Sequence, residues 1–217
     1  MNLKNKRIFS PLIIFLVPSL LLFSLFLFLT FINKSSPGYS LFKIEDSDRY
    51  QFFSKKSEYA VIVFFDLNCE YCKDLHNQIK RNKENFTNIN LILRNYPLLE
   101  NGKSGYKVLV GECVASQEGT EVWLDYLDKS YINFNKNEDR IAAYFLGESL
   151  VKDRIKFEEC TKSTALMEII SKERSINLIK GITYTPSLVV LKNNQVLKVY
   201  NGSGVRAGLE IIKYYNK

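Results

Sequence analysis

Two cysteines at C-x-x-C spacing, in Cys69-Glu70-Tyr71-Cys72, are the residues whose types and placement can do chemistry here. Thiols so placed can exchange disulfides, the first forming a mixed disulfide that the second resolves. Ahead of them lies Val61-Ile62-Val63-Phe64-Phe65, β-branched and aromatic, which reads as a buried strand. Behind them, Lys73-Asp74-Leu75-His76-Asn77-Gln78-Ile79-Lys80 reads as a helix. Cys69 therefore falls in the turn at a helix N-terminus. Unpaired N–H groups and the helix dipole there lower a cysteine pKa from about 8.5 to roughly 3.5–7.5. The competing readings are a zinc half-site and a structural disulfide. Zinc sites ask for a second close pair or a histidine at short spacing. The single histidine is His76, and Cys113 and Cys160 are isolated in sequence. No metal site is expected, and redox chemistry leads.

The segment Phe65-Asp66-Leu67-Asn68-Cys69-Glu70-Tyr71-Cys72-Lys73 resembles the active-site segment of the DsbA-like thioredoxin-fold oxidoreductases. Leu93-Arg94-Asn95-Tyr96-Pro97-Leu98 and Gly181-Ile182-Thr183-Tyr184-Thr185-Pro186-Ser187 extend the likeness, which covers about residues 57 to 217. The resemblance implies a thiol:disulfide oxidoreductase with no bound cofactor, in which Cys69 is the exposed nucleophile and Cys72 the resolving thiol. It also implies a cis Pro186 facing the two cysteines, with Thr185 touching the sulfurs and substrate peptide pairing beside them. Members can carry a second cysteine pair in the helical insertion, here Cys113 and Cys160. Those two lack the activating CxxC turn, which favours a structural bridge over a second redox pair. DsbA proper has a histidine next to its second active-site cysteine. Glu70-Tyr71 stand between the cysteines here, and an acid beside a thiolate raises its pKa, so a milder oxidant is expected. Lys73 partly offsets Glu70. Asp66 is either a proton acceptor or a solvated strand-end acid, and His76 either assists proton transfer or is an ordinary surface residue.

The chain carries 30 Lys and Arg against 23 Asp and Glu. Lys4, Lys6, Arg7 and Lys34 lie in the first 34 residues, which hold no acid; 30 less these four leaves 26 against 23, an ordinary surface. No basic stripe with interleaved aromatics stands out, so nucleic-acid binding is not expected. Ile8 to Ile32 is uncharged. As a helix it spans roughly 37 Å at about 1.5 Å per residue, enough to cross a bilayer. The preceding basic residues place the N-terminus in the cytoplasm and the rest outside. A cleaved signal peptide has a shorter apolar run and a small-residue cleavage site, neither of which fits well, so an uncleaved single-pass anchor is expected. Four cysteines suit the oxidising side of such a membrane. The expected partners are cysteine-containing exported proteins and a quinone-linked membrane reoxidant, similar to DsbB or to the vitamin K epoxide reductase-like proteins.

The expected domains are a cytoplasmic stub and anchor over 1–34, a linker over 35–56 and a catalytic domain over 57–217. Asp48 to Lys56 reads as a short helix capped by Ser47. Tyr59–Phe65, the CxxC helix and Ile89–Arg94 form a β-α-β unit with parallel strands. From about 102 to 180 the pattern is helical. Tyr106, Leu109, Val110 and Cys113 share one face, Val122, Tyr126 and Leu127 another, Ile141, Tyr144, Phe145 and Ile155 a third, and Leu166, Ile169, Ile170 and Ile176 a fourth. Leu188–Leu191 and Val196–Tyr200 flank Asn193-Asn194 as a hairpin. A last amphipathic helix carries Leu209, Ile212 and Tyr215. The fold class is α/β: a thioredoxin fold with an inserted helical domain, preceded by one transmembrane helix. Asn85-Phe86-Thr87 and Asn201-Gly202-Ser203 match glycosylation sequons, which matter only in a eukaryotic secretory pathway.

Overall fold

The apolar run from Tyr59 to Phe65 becomes the central strand because both of its faces are buried, from Ala60 onward. The structure, a computed structural model, describes residues 23–24, 41–44, 48, 51–52, 57–82, 88–98, 103–133, 140–202 and 210. The chain divides into two units, Met1–Pro37 and Gly38–Lys217, and the sheet and its helices belong to the second. Among the described residues the sheet holds β1 (Gln51–Phe52), β2 (Tyr59–Phe65), β3 (Asn90–Asn95), β4 (Ser187–Lys192) and β5 (Gln195–Asn201). Their order across the sheet is β1-β3-β2-β4-β5. β2 and β3 run parallel, with Val61 opposite Leu91 and Phe65 opposite Asn95, while β4 lies antiparallel on the other side of β2. Asn193 and Asn194, at φ 49° and 61°, make the tight turn to β5, where asparagine tolerates the left-handed region best after glycine.

Period-two alternation divides the strand residues between two cores. Ala60, Ile62 and Phe64 meet Phe42, Ile92, Tyr96, Ile182, Val189 and Leu191 on one side. Val61, Val63 and Phe65 face the helices on the other. Those helices are α1 (Glu70–Arg81), then α2 (Lys103–Glu118), α3 (Thr120–Ile132), α4 (Arg140–Glu148), α5 (Arg154–Thr161) and α6 (Thr164–Ile179), the last five inserted between β3 and β4.

The expected short helix over Asp48–Lys56 is replaced at Gln51–Phe52 by β1, which pairs antiparallel with Ile92 and Leu91. The open edge of β3 offers backbone partners that a short exposed helix lacks, and those decide the local conformation. The faces of the later helices also differ from the periodicity. Ile141, Phe145 and Ile155 are 62%, 60% and 73% exposed, and α4 buries Ala143 and Gly147 instead. Close approach through small residues explains this: a Cβ on Gly147 would stand 2.4 Å from Val110 Cγ1 and 2.7 Å from Phe157 Cζ. Gly147→Ala is expected to destabilise the chain by about 1–3 kcal/mol through overpacking, read as a lower midpoint in urea unfolding. Ile169 and Ile176 are likewise exposed, and α6 packs through Ile170.

The expected membrane helix over 8–32 lies outside the described residues, apart from Phe23 and Ser24, which are helical. Among the described residues no helix is long and apolar enough to cross a membrane. The expected C-terminal helix also lies outside them, apart from Glu210, which is helical.

Candidate active site

Cys69 is the N-cap of α1, with extended backbone (φ −103°, ψ 116°), and its sulfur accepts the Cys72 backbone N–H at 3.2 Å. Its carbonyl accepts from the N–H groups of Cys72 and Lys73, both at 3.1 Å. The helix turn thus holds one sulfur at the surface and sends the other inward. Cys69 is half-buried and Cys72 is 2% exposed, and both are free thiols. Cys72, Leu75 and Ile79 form the buried face that packs α1 down.

The loop between α6 and β4 closes over this turn. The Thr185-Pro186 peptide is cis, and the Thr185 carbonyl accepts the Cys69 thiol at 3.5 Å. The loop is fixed by the Gly202 N–H on the Pro186 carbonyl at 3.0 Å and by the Ser187 hydroxyl on the Tyr184 carbonyl at 2.7 Å. Thr185 Oγ1 is buried without a conventional hydrogen-bond partner, beside both sulfurs. Hydrogen bonding from the Cys72 thiol draws the Cys69 thiol down to about 7, helped by Thr185 and the Cys72 N–H and opposed by burial and Asp66. Cys72 moves the other way, pushed up by burial and then by its bond and charge interaction with Cys69. One thiol is poised to ionise and the other to stay protonated.

Iodoacetamide labelling of Cys69 is therefore expected to rise with pH through about 7. Because the folded-state value lies below that of the unfolded chain, the reduced protein gains stability as pH rises through that range and loses it as pH falls. Thr185→Val removes the hydroxyl beside the sulfurs, so the labelling midpoint is expected to shift upward. The fold should tolerate it, since the lost group is a buried polar atom with no partner.

Asp66 holds the loop that carries Cys69. Its Oδ1 accepts the Asn68 N–H at 2.6 Å and its Oδ2 the Leu98 N–H at 2.7 Å. Its carbonyl accepts the Cys69 N–H and the Tyr131 hydroxyl, both at 3.2 Å. Burial pushes the carboxyl up, against these bonds, the Ser104 hydroxyl and the Lys107 charge. Lys107, only 1% exposed, donates to Asn68 Oδ1 at 2.5 Å. Both carboxylate oxygens are occupied, so Asp66 ties the CxxC turn to the segment after β3 and to α2. Sequence reasoning missed Lys107 and Asn68 in this arrangement. A signal existed: Lys107 falls one turn before Val110 on the apolar face of α2.

Glu70 is exposed, as is Tyr71 at 76%, and the groups acting most strongly on Cys69 are Cys72, Thr185 and Asp66. Tyr184, 64% exposed, adds a second surface aromatic on the Thr185 side. His76 lies one turn beyond Cys72 and pairs with Asp128 of α3, which no motif or spacing singled out. Cys113 of α2 and Cys160 of α5 are disulfide-bonded, with Cα atoms 5.8 Å apart.

A parallel β-α-β unit, an antiparallel hairpin and a cis proline opposite a CxxC helix cap are the marks of one protein class. The family model described as thioredoxin matches residues 54–198, and the chain belongs to that family. Solved structures share the fold. Alpha-DsbA1 of Wolbachia pipientis superposes with a TM-score of 0.66 at 17% identity, covering 82% of this chain and 96% of its own. Oxidised BdbD of Bacillus subtilis gives 0.62 at 18%, covering 80% and 96%. The thiol-disulfide exchange protein alpha-DsbA2 of Wolbachia pipientis gives 0.61 at 18%, covering 78% and 88%. No curated protein sequence matches the chain significantly.

Proposed function

We propose that the chain is a thiol:disulfide oxidoreductase working through Cys69 and Cys72 on the outer side of a membrane. The observation that carries this is the pair of opposed sulfurs. Cys69 is a half-buried helix cap drawn to about 7, Cys72 is buried and pushed up, and Thr185 contacts Cys69 across the cis peptide. In the oxidised enzyme a substrate thiolate attacks Cys69 Sγ, and the Cys69–Cys72 bond breaks with its electron pair on Cys72. A second substrate thiol then attacks the mixed disulfide, leaving the substrate oxidised and the enzyme as a dithiol. An extended substrate segment would pair with the backbone at Thr185, beside the cis proline, where a substrate sulfur takes the place of the Cys69 thiol contact.

The uncharged run Ile8–Ile32 with basic residues before it supports a single-pass anchor and a catalytic domain on the extracytoplasmic side. Substrates are then exported proteins with cysteines, and a quinone-linked membrane protein, DsbB-like or vitamin K epoxide reductase-like, restores the disulfide. One observation favours a second direction of flow. A Cys69 near 7 matches thioredoxin (about 7) rather than DsbA (about 3.5), which suits a reductase or isomerase. Cys72→Ser tests the reading, because it should trap mixed disulfides at Cys69 with exported proteins, resolved by reductant. Absence of such adducts in this variant would favour a non-catalytic peptide-binding module.

A further inference from the structure

Cys72 has to lose a proton before it can resolve a mixed disulfide, and it is the harder thiol to ionise, being 2% exposed and pushed up by burial. Asp66 lies behind the same turn, but its carboxylate is tied to the Asn68 and Leu98 N–H groups and does not border the cavity that Cys72 lines. Another group shares a cavity with the thiol. Cys72 and His76 both border a space of about 10 Å³, just enough for one water; its wall is otherwise apolar apart from Tyr131, so these three side chains are the polar partners such a water would have. Helical side chains lean toward the preceding turn, so His76, four residues on, lies over Cys72.

The imidazole is held in a defined way. Its Nε2 pairs with Asp128 Oδ1 at 2.5 Å, and Lys80 binds the other oxygen of that carboxylate. The ring lies against Tyr131, with centroids 5.3 Å apart. The groups facing His76 are thus Cys72 and Lys80 on its own helix, and Asp128 and Tyr131 on α3. Burial opposes charge on Asp128, yet Lys80 and His76 hold its carboxyl below the usual range. An ionised carboxylate on Nε2 selects the tautomer that donates from Nε2, which leaves the lone pair on Nδ1. Nδ1 has no hydrogen-bond partner among the described residues. Burial pushes the His76 pKa down, so the ring rests in its neutral, basic form near pH 7.

We infer that His76 is the proton acceptor for Cys72 through this cavity, with Asp128 as its positioning residue; the inference rests on the exchange reaction proposed above. The Cys72 S–H proton passes to His76 Nδ1, by way of one water. The Cys72 thiolate attacks Cys69 Sγ, the Cys69–Cys72 bond forms, and the bond from Cys69 to the substrate sulfur breaks. The electron pair leaves on the substrate sulfur, which takes a proton from solvent, and the imidazolium returns its proton to solvent. Asp128 stabilises the imidazolium while it exists. In the opposite direction the imidazolium protonates Cys72 as the disulfide opens.

The test uses the full-length chain carrying a glutathione mixed disulfide on Cys69, with release of glutathione followed by stopped flow across a pH series. His76→Gln is expected to slow release by about tenfold to a hundredfold near pH 7, with the deficit closing as hydroxide takes over. Labelling of Cys69 by iodoacetamide should keep its pH midpoint. Asp128→Asn should show the same pH signature with a smaller loss, and it carries the test should His76→Gln fold poorly. Unchanged release in both variants, or a deficit equal at every pH, overturns the inference while leaving the exchange reaction in place. A wild-type chain that never accepts glutathione on Cys69 overturns both.

Discussion

Cys69→Ser is expected to reduce dithiol–disulfide exchange to background, a loss of at least about 10³-fold, measured by insulin reduction and by oxidation of a reduced dithiol peptide. The reason lies in how unequal the two thiols are. Cys69 is the one that reagents can reach and that ionises near 7. A serine hydroxyl at the same helix cap keeps the backbone geometry but stays protonated, and its oxygen cannot form a disulfide. Cys72 offers no substitute, because it is 2% exposed and its thiol is pushed up. The converse variant, Cys72→Ser, should keep the Cys69 reaction with low-molecular-weight disulfides and lose only the resolving step. Substantial exchange by Cys69→Ser would mean that electrons pass through Cys113 and Cys160, and the assignment of the site would be wrong.

Replacing Cys113 and Cys160 by serine is expected to cost about 4 kcal/mol, from the loop-closure entropy of a 47-residue separation. For a chain of this size that lowers Tm by about 10 °C. Cys113 is fully buried and Cys160 packs against the same core, so the hydroxyls introduced there would add to the loss. The bond joins α2 to α5 inside the insertion, while the CxxC turn is held separately through Asp66, Asn68 and Lys107. Exchange at low temperature should therefore survive the double substitution. Thermal melts of the oxidised and the double-serine chains, alongside exchange assays, separate the roles. Lost exchange with an unchanged Tm would make this pair a redox relay.

The catalytic pair was legible because its chemistry is local: a β-branched run, a turn and a helix place Cys69 at a cap within a dozen residues. The hairpin was legible for the same reason, since two adjacent asparagines suit a turn that needs two positive φ values. Pro186 was visible as a residue, but its conformation and its position across from Cys69 come from a sequence separation of 116 between Cys69 and Thr185. The Asp66 network was hidden because its members are brought together by tertiary packing. Lys107 would ordinarily be read as surface, and only its place on the apolar stripe of α2 hints otherwise. His76 and Asp128 stand 52 residues apart, and no spacing rule joins them. On α4 periodicity misled because packing runs through Ala143 and Gly147, leaving larger apolar side chains outside, while on α6 it picked out the buried Ile170 but also Ile169 and Ile176, which stay exposed. A strand as short as β1 carries too few residues for its alternation to be read.

The central claim is that Cys69 and Cys72 form a reversible disulfide whose balance is set by an N-cap sulfur ionising near 7. Its most direct test is a redox titration of the full-length chain in glutathione buffers, with both cysteines quantified by alkylation and mass spectrometry. Reversible, paired conversion of Cys69 and Cys72 is expected, with a midpoint clearly more reducing than the roughly −120 mV of DsbA. Two thiols that never exchange at any glutathione ratio would contradict it.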